Sequence, residues 1–332
     1  GGSFRSDGRI LVLMLTPSGR DGSSIFADIF CSVLGRENPD GGKWGDCSQY
    51  LKTAGKTTEL APLSTKYRVL ILPGFLSSCV SSTPALQKGQ AHLQAAHGMA
   101  VEYLPLPNAS SEANAKTIAD YIGEHSVSDP RKYILIGYSK GAPDAQVAIE
   151  NFPQARAHTA AFVSLAGAIG GSPIANTLPA VIDKYAKALN LGSCQGDLAE
   201  AAKSLRSDIR HNFLAMHPTP SVPSYSFTAF SDKANTSKML LQAWQLLSAY
   251  DAEQDSQMTR QDAYVPGSTF LGSAKADHLA VALAFEDSSD ASVKAMMDKN
   301  HYPRAALFES LIRAVILDLD KDQKAAPPAT GH

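Results

Sequence analysis

Apolar runs of strand length recur along this chain with helical periodicity between them, and this alternation constrains the fold more than any other feature. The runs are Ile10 to Leu15, Tyr67 to Leu72, Met99 to Leu106, Tyr133 to Ile136, Ala161 to Ala166 and Tyr225 to Phe230. They are nearly continuous instead of alternating, which is the pattern of strands covered on both faces. Between them, Leu86 to Ala96, Ala113 to Ile122 and Pro143 to Glu150 carry apolar residues at helical spacing, and Ser110-Ser111 supplies an N-cap for the second. Strands and helices in this order predict an α/β fold, with a mostly parallel central sheet flanked by helices and right-handed crossovers.

No repeat or linker divides the chain. At 332 residues and 44% hydrophobic, it can bury the core of one large domain spanning 1–325. Two segments depart from the rhythm. Residues 17–64 are rich in Gly, Ser, Asp and Thr and are expected to decorate the sheet's first edge. Residues 173–224 form a polar, Ala-rich helical insertion between two strands, placed to act as a cap. Pro303 to Asp320 sets Leu307, Leu311, Ala314, Val315, Leu317 and Leu319 along one side, which predicts a closing amphipathic helix. After Lys321 the Pro/Ala-rich end, 326–332 above all, is expected to be disordered.

A formal net charge of -2 and the lack of a basic cluster with interleaved aromatics argue against a nucleic-acid partner. No apolar run reaches the roughly 18 residues of a membrane-spanning helix. Four cysteines, Cys31, Cys47, Cys79 and Cys194, include no C-x-x-C pair and no His/Cys cluster at metal spacing, so neither a zinc site nor any cofactor is expected. Cys31 and Cys47 flank a loop rich in Gly, Pro and Asp. A disulfide closing it, with Cys79 to Cys194 as the second pair, competes with four reduced thiols. Gly1-Gly2-Ser3 reads as a trimmed start, so the compartment rests on the cysteines: secreted or periplasmic if they are bridged, cytoplasmic otherwise.

The chemistry is signalled by Gly137-Tyr-Ser-Lys-Gly141, which follows the strand-like Tyr133 to Ile136 and precedes a helix with Pro143 in its first turn. A serine hydroxyl becomes a useful nucleophile when a strained strand-to-helix turn lifts it above the sheet edge, and small residues two positions either side let that turn form. Ser139 then requires a base, for which imidazole suits neutral pH. His278 precedes the apolar stretch Leu279 to Phe285, read as a packed helix that can aim it; His301 is the other late histidine. The imidazole needs a carboxylate behind it. Both Asp262 and Asp232 satisfy the order nucleophile, acid, histidine. Charge developing on a carbonyl oxygen calls for N–H donors: that of Lys140, next to the nucleophile, and that of Phe75 in the turn Leu72-Pro-Gly-Phe75.

Taken together, these stretches resemble the α/β-hydrolase superfamily and, within it, bacterial lipases and esterases, across roughly residues 67 to 285. Leu72-Pro-Gly-Phe75 takes the place of their oxyanion turn, Gly137 to Gly141 that of the elbow, and Ser164-Leu-Ala-Gly-Ala-Ile-Gly-Gly-Ser172 is similar to their small-residue strand end. Asp262-Ala-Tyr-Val-Pro266 with Leu271-Gly272 and His278 resembles their aspartate-to-histidine series, which implies Asp262 as the acid. The departures are Pro73 where the lipases carry an oxyanion histidine, Lys140-Gly-Ala-Pro-Asp144 in place of their usual elbow continuation, and Ala280 where calcium-binding lipases carry an aspartate. The last implies no structural calcium. The resemblance implies a serine hydrolase acting on carboxylic esters through Ser139. Acyl transfer, polyester cleavage and a catalytically silent binding protein are the alternatives.

Overall fold

The computed structural model describes residues 19–75, 77, 83–177, 180, 183–184, 187 and 196–325. Seven strands form one sheet in the order β1-β7-β6-β5-β4-β2-β3. They are β1 (Arg20–Asp21), β2 (Arg68–Leu72), β3 (Val101–Tyr103), β4 (Tyr133–Tyr138), β5 (Thr159–Leu165), β6 (Ser224–Phe230) and β7 (Thr269–Lys275). Every strand pairing among the described residues is parallel, in keeping with the expected mostly parallel sheet. The chain runs outward from β2 to β3, returns to the other side of β2 as β4, and then proceeds through β5, β6 and β7. That reversal leaves a crevice at the carboxyl ends of β2 and β4, where α/β sheets place their ligands.

Alternate residues of the central strands feed two cores, as a period of two requires. Val69, Ile71, Ile134, Ile136 and Val163 face one apolar cluster, which contains residues of α1 (Ser23–Ser32), α2 (Gln87–His97) and α10 (Arg304–Ala325). Leu70, Leu72, Leu135 and Phe162 face the other, built with α3 (Ser111–His125) and α4 (Gly141–Asn151). Ser110 caps α3 as expected, its hydroxyl accepting from Ala113 N–H at 3.1 Å. Between β5 and β6 the described residues include α6 (Leu198–Lys203) and α7 (Ser207–Met216). Residues near 17–64 do border the first edge: β1 pairs with β7, and Leu51 bridges Ala274. Cys31 and Cys47 are joined by a disulfide. The strand expected at Ile10 to Leu15, the Cys79 to Cys194 pair and the 326–332 tail lie outside the described residues.

Two local expectations are corrected. Leu279 to Phe285 is a succession of turns ending in a short 3-10 helix at Phe285–Asp287, not an α-helix. Its apolar side chains are buried except for the half-buried Ala284, so burial from every side, which periodicity cannot separate from a helix, produced the signal. The closing helix is not one-sided: Arg304 through Ile316 are buried on every face, including Glu309, Ser310 and Arg313, and it continues past Lys321 to Ala325.

Candidate active site

The turn after β4 carries Ser139 with φ at 55°, a left-handed backbone conformation that an L side chain adopts only when its surroundings over-determine it. The surroundings do so. Ser139 N–H donates to Leu165 O at 3.2 Å, and Ser139 O accepts from Ala142 and Ala168 N–H at 3.2 and 3.1 Å. A Cβ on Gly137 would lie 2.5 Å from Ala142 Cα, and one on Gly141 would lie 2.2 Å from Leu72 O. The two glycines therefore let helix α4 and strand β2 close on the turn, as the sequence pattern requires. The turn after β2 approaches from the other side, so that a Cβ on Gly74 would come within 2.7 Å of Ser139 Cβ. Leu72 and Gly137 are register partners, so the turn that carries Phe75 lies beside the turn that carries Ser139 and Lys140.

His278 Nε2 lies 2.9 Å from Ser139 Oγ, and its Nδ1 lies 2.7 Å from Asp255 Oδ2. All three side chains are buried, with the residues at 5%, 4% and 1% exposure for Ser139, His278 and Asp255. Burial in low dielectric strengthens each of these hydrogen bonds and makes an unpaired partner costly. Asp255 Oδ1 accepts from Gln257 and Met258 N–H at 2.9 and 2.7 Å, which fixes the carboxylate and leaves Oδ2 for the imidazole. The loop is a tight one, with Ser256 at φ 88° and its N–H on Gln254 Oε1 at 2.7 Å. A hydroxyl, an imidazole and a buried carboxylate in this sequence of contacts can pass a proton from oxygen to nitrogen while the carboxylate stabilises the resulting charge.

The acid position is where the sequence expectation fails. Asp262 Oδ2 accepts from Thr259 Oγ1 at 2.7 Å and its backbone carbonyl accepts from Gly170 N–H at 2.9 Å, so it organises a loop; burial raises its carboxyl pKa, with nearby His211 opposing. Asp232 caps the short helix Lys233–Asn235 through Asn235 N–H at 2.8 Å and is exposed. Neither reaches His278, whose Nδ1 is taken by Asp255. The motif resemblance fell seven residues too far along, because the loop folds back: Ser231, just after β6, bridges Gln254 and draws Asp255 to the sheet edge. The available signal was weak: Gln254-Asp-Ser-Gln257 is a compact polar turn in a segment with several acids. His301 is remote in function, its ring stacked on Trp44 and its Nδ1 on Glu286 at 2.7 Å.

Neighbouring groups hold the site in shape. Asp277, next to His278, accepts from Ser237 and Ala280 N–H at 3.0 and 2.9 Å; its full burial pushes its pKa up to about 6. Tyr138 stacks on the His278 ring at 5.2 Å and donates its OH to the His278 carbonyl at 2.6 Å, and burial raises its pKa well above the usual value. Lys140 Nζ is engaged by Asp144 at 2.9 Å in a buried i,i+4 pair, with Asn114 Nδ2 donating to the same carboxylate at 2.9 Å. Phe75 belongs to an apolar cluster with Ile174, Ala201, Ala202, Leu205 and Met258, which links the turn after β2 to described residues of the 173–224 insertion.

No protein-family model and no curated protein matches the sequence. Among solved structures, a metagenomic carboxyl esterase superposes with a TM-score of 0.80 at 30% identity, covering 96% of each chain. A Bacillus licheniformis lipase in mature form gives a TM-score of 0.53 at 20% identity over 76% of this chain and 94% of its own, and lipase 1 from Pelosinus fermentans 0.52 at 9% over 75% and 99%. The last two share the fold, and the first shares it with 30% of residues identical over 96% of both chains. The chain belongs to the carboxyl esterase and lipase group of the α/β-hydrolase superfamily.

Proposed function

We propose that the protein hydrolyses carboxylic esters through an acyl-enzyme on Ser139, with His278 as base, Asp255 as its acid partner, and Phe75 and Lys140 N–H as the oxyanion donors. The observation that carries the reading is the hydrogen-bonded chain Ser139 Oγ to His278 Nε2 at 2.9 Å and His278 Nδ1 to Asp255 Oδ2 at 2.7 Å, on a strained turn at the sheet's carboxyl edge. The likeness to a carboxyl esterase over both chains supports it.

As Ser139 Oγ attacks the carbonyl carbon, its proton passes to His278 Nε2, and Asp255 stabilises the imidazolium and keeps the Nδ1–H tautomer. The carbonyl oxygen becomes an oxyanion, for which each preorganised N–H contributes about 3 kcal/mol of transition-state stabilisation. Collapse expels the alcohol, which takes the proton from His278. Water, deprotonated in turn by His278, attacks the acyl carbon; collapse breaks its bond to Ser139 Oγ, which takes the proton back from His278 as the acid leaves. The apolar cluster of Phe75 with Ile174, Ala201, Ala202 and Leu205 gives the acyl group a nonpolar wall, and the described part of the insertion around α6 serves as a cap over it. Fastening between α6 and the sheet-edge loops supports that role: Ser111 N–H donates to Ser204 Oγ at 3.0 Å and Asp197 N–H to Asn108 O at 2.7 Å. The Cys31–Cys47 bridge favours an oxidising compartment outside the cytoplasm.

The test is Ser139→Ala assayed on short p-nitrophenyl esters, with a fluorophosphonate probe and mass spectrometry on the unmodified protein. Loss of turnover and adduct formation on Ser139 are expected; an unchanged rate, or a labelled protein modified elsewhere, overturns the reading.

A further inference from the structure

Away from Ser139, on the sheet face covered by α1, α2 and α10, four metal-ligating side chains converge. Glu37 lies just past α1, His92 and His97 lie on α2, and Glu309 lies on α10. His92 Nε2 and His97 Nε2 both point at Glu309 Oε1, at 2.6 and 2.9 Å, and the same two nitrogens lie 3.7 and 3.3 Å from Glu37 Oε2. All four atoms fall within 4.8 Å of one another. A tetrahedral zinc ion with bonds of about 2.0–2.1 Å to nitrogen and oxygen separates its ligands by about 3.3 Å. The four imidazole-to-carboxylate contacts, from 2.6 to 3.7 Å, scatter around that spacing, as a cradle for one four-coordinate ion requires.

Arg313 supplies the second argument. Its Nε donates to Glu309 Oε2 at 2.9 Å and its Nη2 to Glu37 Oε1 at 3.2 Å. Each carboxylate thus gives one oxygen to the guanidinium and turns the other toward the imidazoles. An outer partner that fixes ligating carboxylates in this way is the usual second layer of a metal site. A plain ion-pair cluster would satisfy Arg313 and one carboxylate; it would not need two imidazole nitrogens directed at one carboxylate oxygen that Arg313 leaves free.

We propose that Glu37, His92, His97 and Glu309 form a structural zinc site that ties the end of α1 to α2 and α10. Two imidazole nitrogens and two carboxylate oxygens suit zinc, and four protein ligands leave no open position for catalysis. The sequence conceals the site because its ligands come from three distant segments with no short metal-binding motif.

The experiment uses the full chain without an affinity tag, stripped with EDTA, dialysed, and incubated with zinc chloride before gel filtration. Elemental analysis is expected to return about one zinc per chain, the Tm to rise by several degrees with added zinc, and cobalt(II) in place of zinc to give the strong visible bands of four-coordinate nitrogen and oxygen ligation. In the double variant His92→Gln, His97→Gln, the amides can still donate to Glu309, but zinc content should drop at least about tenfold and the zinc-dependent Tm rise should vanish. Zinc content below about one tenth per chain in the wild type, six-coordinate cobalt spectra, or equal zinc in the double variant overturns the proposal. If the double variant fails to fold, the wild-type stoichiometry and cobalt spectrum decide by themselves. None of these readouts depends on ester turnover.

Discussion

Replacing Asp255 by Asn is the sharpest test of which carboxylate serves His278. Asp255 Oδ1 is held by the N–H groups of Gln257 and Met258 at 2.9 and 2.7 Å, while Oδ2 faces His278 Nδ1 at 2.7 Å. An asparagine has one acceptor oxygen and one donor nitrogen. Placing the nitrogen against two backbone donors is unfavourable, so the oxygen stays on the backbone and the NH2 faces the imidazole. Nδ1 must then accept, the ring proton moves to Nε2, and Ser139 Oγ meets a donor where it needs a base. The wrong tautomer costs about 10^4-fold in kcat, or about 5.5 kcal/mol of barrier. Asp262→Asn is the matched control: Thr259 Oγ1, at 2.7 Å from Asp262 Oδ2, can donate equally well to an amide oxygen, so kcat should stay within about threefold. Steady-state kinetics on a short p-nitrophenyl ester, with thermal melts to show that both variants fold, provide the comparison. A loss of less than about tenfold in Asp255→Asn, or a loss of about 10^3 in Asp262→Asn, would refute the assignment.

Gly141→Ala places a Cβ 2.2 Å from Leu72 O, so the elbow must shift against β2; urea titration should show a loss of about 3 kcal/mol, with turnover falling in the fraction that folds. Removing the Cys31–Cys47 bridge with the double Ser variant frees a loop with a sequence separation of 16, and denaturant unfolding should show a loss of about 3 kcal/mol, reproduced by adding reductant to the wild type. Asp277 carries a folded-state pKa pushed up to about 6 by burial, so its proton favours the folded state. Its contribution is complete below the unfolded value near 4 and is lost as pH rises through about 6. The stability of wild type relative to Asp277→Asn should therefore fall by about 3 kcal/mol between about pH 3.5 and 7, and a difference that is flat or grows with pH would contradict the burial argument.

The parts of this fold that sequence patterns reveal are those whose physics is local. β2, β4 and β5 read as strands because both faces are buried and most of their residues are apolar, while β6 shows through the apolar Tyr225, Phe227, Ala229 and Phe230 set between small buried Ser and Thr residues. β7 escapes the same reading: Thr269–Lys275 is short on bulky residues, and its register with β6 shifts between Ser226 and Phe227 beside Gly272 at φ 138°. β1, with two residues, exists only through its pairing with β7. Ser139 and His278 were legible for different reasons. The first has flanking glycines that a strained turn demands, and the second follows the last strand with a polar loop before it. Asp255 was not, since Asp232, Asp251, Glu253, Asp255 and Asp262 all precede His278 and follow Ser139. Chain order cannot rank them; only the antiparallel return of Gln254 onto Ser231 does, and that contact has no local sequence signature.

The geometry also explains why an acid between β6 and β7 can serve a serine after β4. His278 is bound to both partners through its backbone as well as its ring. Its N–H donates to Asp255 O at 2.8 Å, and its carbonyl accepts from the hydroxyl of Tyr138, the residue immediately before Ser139. The imidazole is thus positioned by the loop that holds Asp255 and by the strand end that holds Ser139, and the stacked Tyr138 ring limits its rotation. A displacement of about 1 Å between reacting groups can cost about 10^2 in rate. Buried, doubly anchored placement removes much of that freedom before a substrate arrives. Ser139 and Ser256 are both non-glycine residues at positive φ, the first held by three backbone hydrogen bonds and the second by its N–H on Gln254 Oε1, and each turn aims an oxygen at the same imidazole: Ser139 its own, and Ser256 that of the preceding Asp255.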